Sequence, residues 1–409
     1  MWRGIVVDSF VESLGLSADR YETASLMQSF FSEMDKGLAD EESSLAMLHA
    51  YLAAGGEIEK NRKVIVLDAG GTNLRVGTAL FDDAGSLQIA KLEKSGMIGL
   101  DGQLSKSEFF EQLADRVMPV IQESDSIGFC FSYPCEIQPD HDGRLLQWTK
   151  GIDAPEVVDC LIGEELNRVF ESRGIARKKI VLLNDTVATL LAGVAEGAAR
   201  GAKGYVGFIL GTGTNTAHLE KGEVVNVESG GFGKLPVTEI DRELDAASIN
   251  PGKQIFEKMI SGAYLGSLTL VALNRAPLSE SGREVIAEMD GLSLIHVDNF
   301  TAQNGCDIGP LGDPRFPKED GELIRTVFNA IVKRAAHLSA VNLAVAAIRN
   351  GTSPVCINLD GSAFFKTFRL REQAEAELQQ ILEQAGVDYF CVHVDDAPVV
   401  GAAIAALSL

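Results

Sequence analysis

Two stretches of the chain, 64–92 and 205–227, repeat one pattern: an apolar strand, a glycine- and threonine-rich turn, then a β-hairpin. The first reads Val-Ile-Val-Leu-Asp-Ala-Gly-Gly-Thr-Asn-Leu-Arg from Val64, and its hairpin turns at Asp82-Asp83-Ala84-Gly85. The second reads Tyr-Val-Gly-Phe-Ile-Leu-Gly-Thr-Gly-Thr-Asn from Tyr205 and turns at Glu220-Lys221-Gly222-Glu223. Glycine lets backbone N–H groups approach an anion closely, and threonine adds a hydroxyl donor. Two such turns predict a duplicated unit whose halves grip a polyphosphate from opposite sides. The expected architecture is α/β with two sheets, one per copy, and nucleotide handling is the leading functional expectation.

The rest of the chain supports that reading. Periodicity predicts amphipathic helices over 20–56, stopping at Gly55-Gly56, then strands at 63–68, 74–81 and 86–92. A helix is expected at 107–124, a strand at 126–131, a strand from Lys179 to Leu183 and a helix from Val187 to Arg200. Helix is also expected from Asp241 to Leu273, broken at Asn250-Pro251-Gly252. Prolines 277, 310, 314 and 317 mark 276–320 as loop-rich. A long helix is predicted from Glu322 to Arg349 with Gly351 at its end, then strands at 354–359 and 389–394 and a helix from Val399 to Leu409.

Composition narrows the partners. In 409 residues, 36 Lys and Arg face 58 Asp and Glu, a formal net charge of −22. So acidic a surface repels nucleic acid and anionic membranes, so any phosphate must be held by local amides, helix N-termini, a few cations and a metal. The six cysteines (130, 135, 160, 306, 356 and 391) show no metal-ligand spacing and fit a reducing, cytoplasmic setting. The opening octapeptide is too short and too soon acidic for a secretory signal, and no apolar run is expected to span a membrane. No P-loop, dinucleotide fingerprint or H-E-x-x-H motif occurs.

The candidate chemistry lies at the strand ends. Asp68 closes the first strand before Gly70-Gly71-Thr72, where a carboxylate can hold Mg²⁺ through water while Thr72 and Asn73 address phosphate oxygens. The simpler reading is a carboxylate capping its own turn. Asp185, in Asn184-Asp185-Thr186, follows an apolar strand and precedes a helix, so it suits a base that accepts a hydroxyl proton during phosphoryl transfer. The competing reading is a helix N-cap. Ser132, Trp148-Thr149-Lys150, Asn215, Glu228 and Glu257 form a set of polar groups suited to sugar hydroxyls, with Lys150 also able to balance phosphoryl charge.

These segments resemble the hexokinase family, within the superfamily of sugar kinases, actin and heat-shock chaperone ATPases. The matches are 67–76 (Leu-Asp-Ala-Gly-Gly-Thr-Asn-Leu-Arg-Val), 131–135 (Phe-Ser-Tyr-Pro-Cys), 148–151 (Trp-Thr-Lys-Gly) and 184–189 (Asn-Asp-Thr-Val-Ala-Thr). They continue through 210–215, 225–233, 250–258 and 359–362, in the family's order. The resemblance, to a single-unit member of bacterial type, implies a duplicated actin-like (ribonuclease-H-like) ATPase fold with two domains flanking a cleft. The small domain would comprise 62–186 plus 397–409, and the large domain 1–61 plus 187–396.

It further implies a kinase moving the γ-phosphoryl group of ATP, with Mg²⁺, to the 6-hydroxyl of glucose or a related hexose. Asp185 would be the general base. Ser132, Thr149, Lys150, Asn184, Asn215, Glu228 and Glu257 would bind the sugar alongside Asp185. Asp68, Gly71, Thr72, Asn73 and Arg75 would form the first phosphate turn, with Asp68 near the metal. Gly213, Thr214, Gly262, Gly361 and Ser362 would contact the nucleotide. Ser229 departs from the pattern, standing where many members carry tryptophan. A dormant hexose sensor, or a superfamily kinase for another sugar, is the alternative.

Overall fold

A computed structural model describes residues 9–17, 20–55 and 58–408. The opening octapeptide, Gly56 and Leu409, on which expectations fell, lie outside these. One five-stranded sheet has the order β4 (Leu87–Gly96), β3 (Asn73–Phe81), β2 (Val64–Ala69), β5 (Ser126–Phe131), β8 (Lys179–Leu183). A six-stranded sheet has the order β1 (Leu48–Ala53), β11 (Glu223–Asn226), β10 (Thr214–Glu220), β9 (Gly204–Leu210), β12 (Val355–Asp360), β13 (Tyr389–Val392). A small hairpin, β6 (Cys135–Ile137) with β7 (Gly143–Leu145), stands apart.

The duplication is explicit in the pairing. In the first sheet β2 runs antiparallel to β3 and parallel to β5, which is parallel to β8. In the second, β9 runs antiparallel to β10 and parallel to β12, which is parallel to β13. Each unit is thus a meander whose first strand is extended by parallel crossovers. All six residues of β2 are buried, as a central parallel strand requires, and its single charge is Asp68.

Two helices lie between the sheets. Asp185–Ala199 follows β8, and Ala397–Leu407 follows β13. Both are rich in alanine and glycine, and close approach is the reason. A Cβ on Gly128 of β5 would sit 1.8 Å from the carbonyl oxygen of Ala402, and one on Gly207 of β9 would sit 2.5 Å from the amide nitrogen of Leu190. The core between the sheets joins Val64, Phe81 and Leu183 from one side to Tyr205, Leu219 and Cys356 from the other. The 32-residue Lys318–Arg349 helix is long and apolar enough by composition to cross a membrane, contrary to expectation. It is the mostly buried core helix of the larger hydrophobic cluster.

Other expectations need correction. Residues 48–53 form strand β1, where helix was expected, because they pair with β11 in register Leu48↔Asn226 and His49↔Val225. Ala50 and Leu52 are buried while Tyr51 and Ala53 are exposed, a period-two signal that only the partner strand makes decisive. The 276–320 segment holds helices Glu280–Ala287 and Leu294–Ala302, capped by Ser279 and Ser293. The helix expected at 107–124 ends at Val117, and a 3₁₀ turn over Met118–Val120 carries Pro119. Buried Arg334 pairs with Asp241 at 2.8 Å and reaches the Tyr21 hydroxyl, tying the long helix to the Glu239–Ala246 helix.

Candidate active site

The first cluster gathers at the carboxyl end of β2. Asp68 is 7% exposed and accepts a 2.8 Å hydrogen bond from Arg75 Nε, while Arg75 Nη1 holds Asp396 at 2.5 Å. The turn is held from below by the Tyr133 hydroxyl, which donates to Gly70 O at 2.7 Å. Lys150, in a left-handed conformation at φ 60°, donates to Ser132 O at 2.7 Å and packs its stem on Gly71. Thr72 Oγ1 accepts from Asn73 Nδ2, leaving its hydroxyl hydrogen available. Trp148 is not a polar contact: its ring packs on Phe109, Phe131 and Tyr133, and its Nε1 donates to Ala154 O, fixing the loop that presents Thr149 and Lys150.

The second cluster lies on the other sheet. Asn215 Nδ2 donates to Asn226 Oδ1 at 2.8 Å, and Asn226 Nδ2 donates to Glu228 Oε1 at 2.7 Å. Glu257 accepts the Thr214 amide at 3.0 Å, and a Cβ on Gly213 would meet its carboxylate at 2.5 Å. The Thr214 hydroxyl turns inward, donating to Ile209 O at 2.9 Å. The two turns therefore differ: Thr72 offers a donor, whereas both Thr214 donors are engaged. Gly211, Gly262 and Gly361 converge. Gly262 N donates to Gly211 O at 2.9 Å, and a Cβ on Gly361, at φ 104°, would strike Leu210 at 2.4 Å. Ser362 opens the short helix beside them. Ser229 points away into the core, where its hydroxyl meets Thr216 Oγ1 at 3.1 Å, which in turn accepts from Asn342.

Asp185 stands between the clusters. Asn184 is the N-cap, accepting the Thr186 amide at 2.8 Å, so Asp185 occupies the first helical position. Its carboxylate takes one bond, from Thr186 Oγ1 at 3.2 Å. Its charge reaches both sides. Burial raises the Asp68 carboxyl against the pull of Arg75, and Asp185 adds to that rise. Burial likewise raises Glu228 against its bond from Asn226, with Asp185 and Glu257 adding. Glu257 is raised by burial and pulled back by the Thr214 amide. The arrangement gathers buried carboxylates, Asp68, Glu228 and Glu257, whose carboxyls burial raises, around Asp185 and beside the glycine turns.

Because Glu228 holds its proton more tightly folded than unfolded, its contribution to stability falls as pH rises above the ordinary carboxylate range. Glu228→Gln, whose amide oxygen can keep the bonds that Glu228 Oε1 accepts from Asn226 at 2.7 Å and Asn215 at 3.3 Å, should therefore unfold at a higher temperature than the parent at pH 7. The gap should close as pH falls toward 4. A lower or equal midpoint at pH 7 in sugar-free thermal unfolding would refute this account.

Several participants escaped the sequence reading. Tyr133 and Gly211 sit inside quoted motifs, and their neighbours were the only signal. Asn226 and Asp396 act through partners that no local pattern discloses.

Two family models, both described as hexokinase, match residues 6–195 and 205–408. Hexokinase-1 of Spinacia oleracea is 30% identical, over 92% of this chain and 85% of that protein. A hexokinase of Plasmodium falciparum is 28% identical, over 99% and 91%. A solved hexokinase superposes with a TM-score of 0.81 at 26% identity, covering 98% of this chain and 99% of the other. A Schistosoma mansoni hexokinase complexed with glucose shares the fold, at TM-score 0.76 and 24% identity, covering 98% and 100%. The duplicated actin-like ATPase fold is common to them.

Proposed function

The chain belongs to the hexokinase family, and on that premise we propose how it carries the γ-phosphoryl group of ATP to a hexose. Asp185 takes the proton from the sugar's 6-hydroxyl as that oxygen bonds to the γ-phosphorus and the bond to ADP breaks. Ser132, Thr149, Lys150, Asn184, Asn215, Glu228 and Glu257 bind the other hydroxyls, with glucose or a close relative as the substrate. The observation that supports this best is the position of Asp185, whose charge acts on Asp68 at one cluster and on Glu228 at the other. Lys150 balances charge on the moving phosphoryl group.

Phosphate contacts come from Gly71, Thr72, Asn73 and Arg75 on one side, and contacts to the nucleotide's phosphates, ribose or base from Gly213, Thr214, Gly262, Gly361 and Ser362 on the other. The Thr214 contribution is steric and positional, since its donors are already used. Asp68 would hold Mg²⁺ through water. No cluster of three metal-ligating side chains exists among the described residues, which suits an ion held mainly by ATP and its own waters. When bound, the ion neutralises phosphate charge. The segments 62–186 plus 397–409 and 1–61 plus 187–396 are the two bodies whose closure excludes water. All six cysteines are unpaired, which supports a cytoplasmic location, and the net charge of −22 disfavours nucleic-acid and anionic-membrane partners.

The deciding experiment is ADP release with Mg·ATP against glucose, mannose, fructose, glucosamine and no sugar. Strong glucose-dependent turnover upholds the reading, whereas tight sugar binding without turnover would make the chain a sensor. A second expected result concerns the first turn. Thr72→Val should raise KM for ATP about 10-fold, the loss of one bond to a charged group, with glucose affinity unchanged. If glucose affinity alone moved, the turn would not face the nucleotide.

A further inference from the structure

A cavity of about 270 Å³, sharing no residue with the candidate active site, opens where the N-terminal segment meets the start of the Glu239–Ala246 helix. Three guanidinium side chains line it: Arg20, Arg242 and Arg275. Arg275 is paired with Glu239 at 3.3 Å and Glu243 at 2.6 Å. Arg20 and Arg242 have no carboxylate partner among the described residues. Several other arginines are neutralised by acids, as Arg315 is by Glu288 and Arg349 by Glu220, whereas the wall of this cavity carries three guanidinium groups against the one carboxylate of Glu239. The Arg20 guanidinium lies over Gly15, next to the Thr238 methyl, so it is laid against the cavity wall. The Thr238 and Ser13 hydroxyls are both engaged, donating to Asp241 and to Phe10 O.

We propose that this cavity binds a small phosphomonoester that carries hydroxyl groups. The doubly charged phosphate would sit among Arg20, Arg242 and Arg275, whose forked donors suit its oxygens. The Glu239 carboxylate, also on the wall, would accept from a ligand hydroxyl and disfavour bare anions. No aromatic side chain lines the cavity, so it offers no stacking face for a nucleobase. Its volume lies below that of drug-sized pockets, which fits a compact polyol phosphate. One turn further along the same helix, Asp245 holds Lys258 at 2.5 Å, immediately after Glu257 in the chain.

The test is calorimetric titration of the full chain, with excess ADP present to fill the nucleotide site, using glycerol 3-phosphate, glycerol and inorganic phosphate as probes. The expected result is one site for glycerol 3-phosphate, no heat from glycerol and weaker binding of inorganic phosphate. Arg20→Gln and Arg242→Gln should each weaken glycerol 3-phosphate at least 10-fold while hexose-dependent ADP release stays at the parent level. Glu239→Gln should tighten inorganic phosphate, a gain that misfolding cannot produce. Absence of heat from glycerol 3-phosphate, or unchanged affinity in both arginine variants, overturns the site. Equal affinity for inorganic phosphate and the ester overturns the assignment to a hydroxyl-bearing ligand.

Discussion

Asp185→Asn should lower kcat by about 10²–10⁴-fold while equilibrium glucose binding stays close to the parent value. The side chain keeps its shape, and the helix keeps its start, because the N-cap bond belongs to Asn184 and not to Asp185. The one bond that the carboxylate accepts, from Thr186 Oγ1, can also be made to an amide oxygen. What disappears is the only feature an amide cannot supply, a site for the hydroxyl proton. Removing the negative charge also relieves Asp68 and Glu228, so the variant should be at least as stable as the parent. The measurement is turnover from ADP release beside glucose affinity by titration calorimetry. Near-normal turnover would remove Asp185 as the base, and a loss of affinity equal to the loss of kcat would make it a binding residue only.

Gly128→Ala should destabilise the whole chain by about 3 kcal/mol or more, at the upper end of overpacking. The added methyl carbon would lie 1.8 Å from the carbonyl oxygen of Ala402. No rotamer change relieves a contact between a Cβ and main chain, so the Ala397–Leu407 helix must move off the first sheet. That helix also packs on the Asp185–Ala199 helix, where a Cβ on Gly401 would meet Ala188 O at 2.2 Å. The strain therefore spreads into both layers between the sheets. Gly96→Ala is the control, because a Cβ there meets nothing within 4 Å, and its change should stay within about 0.5 kcal/mol. Urea unfolding of the two variants decides the matter, and equal midpoints would mean that the sheet–helix contact is softer than its geometry.

Much of this was legible in the chain. The two strand–turn–hairpin units were readable because their signals are local: apolar runs of six or seven residues, glycine turns and a hairpin turn at fixed spacing. The Asp68 and Asp185 placements followed from their positions at the ends of apolar strands, Asp68 next to last in β2 and Asp185 one residue past Asn184 after β8. Strand β1 was misread because Leu48–Ala53 contains nothing that forbids helix, and its pairing with β11 lies far along the chain. The helices within 276–320 were hidden by prolines that stand outside them, Pro277 before the first and Pro310, Pro314 and Pro317 after the second.

The sequence by itself thus determined the duplicated α/β plan, the two glycine turns and the set of polar candidates for proton transfer and hydroxyl binding, because each is written in a short window of chain. Tertiary structure alone decided which of them share a site. It turned the Thr214 hydroxyl into its own strand, buried Ser229 against Thr216, and brought Asp396 to Arg75 across 321 positions. Side-chain direction and burial depend on what packs from elsewhere, and with them the field that links Asp185 to Asp68 and Glu228. A window of sequence holds no information about a neighbour that arrives from the other end of the chain.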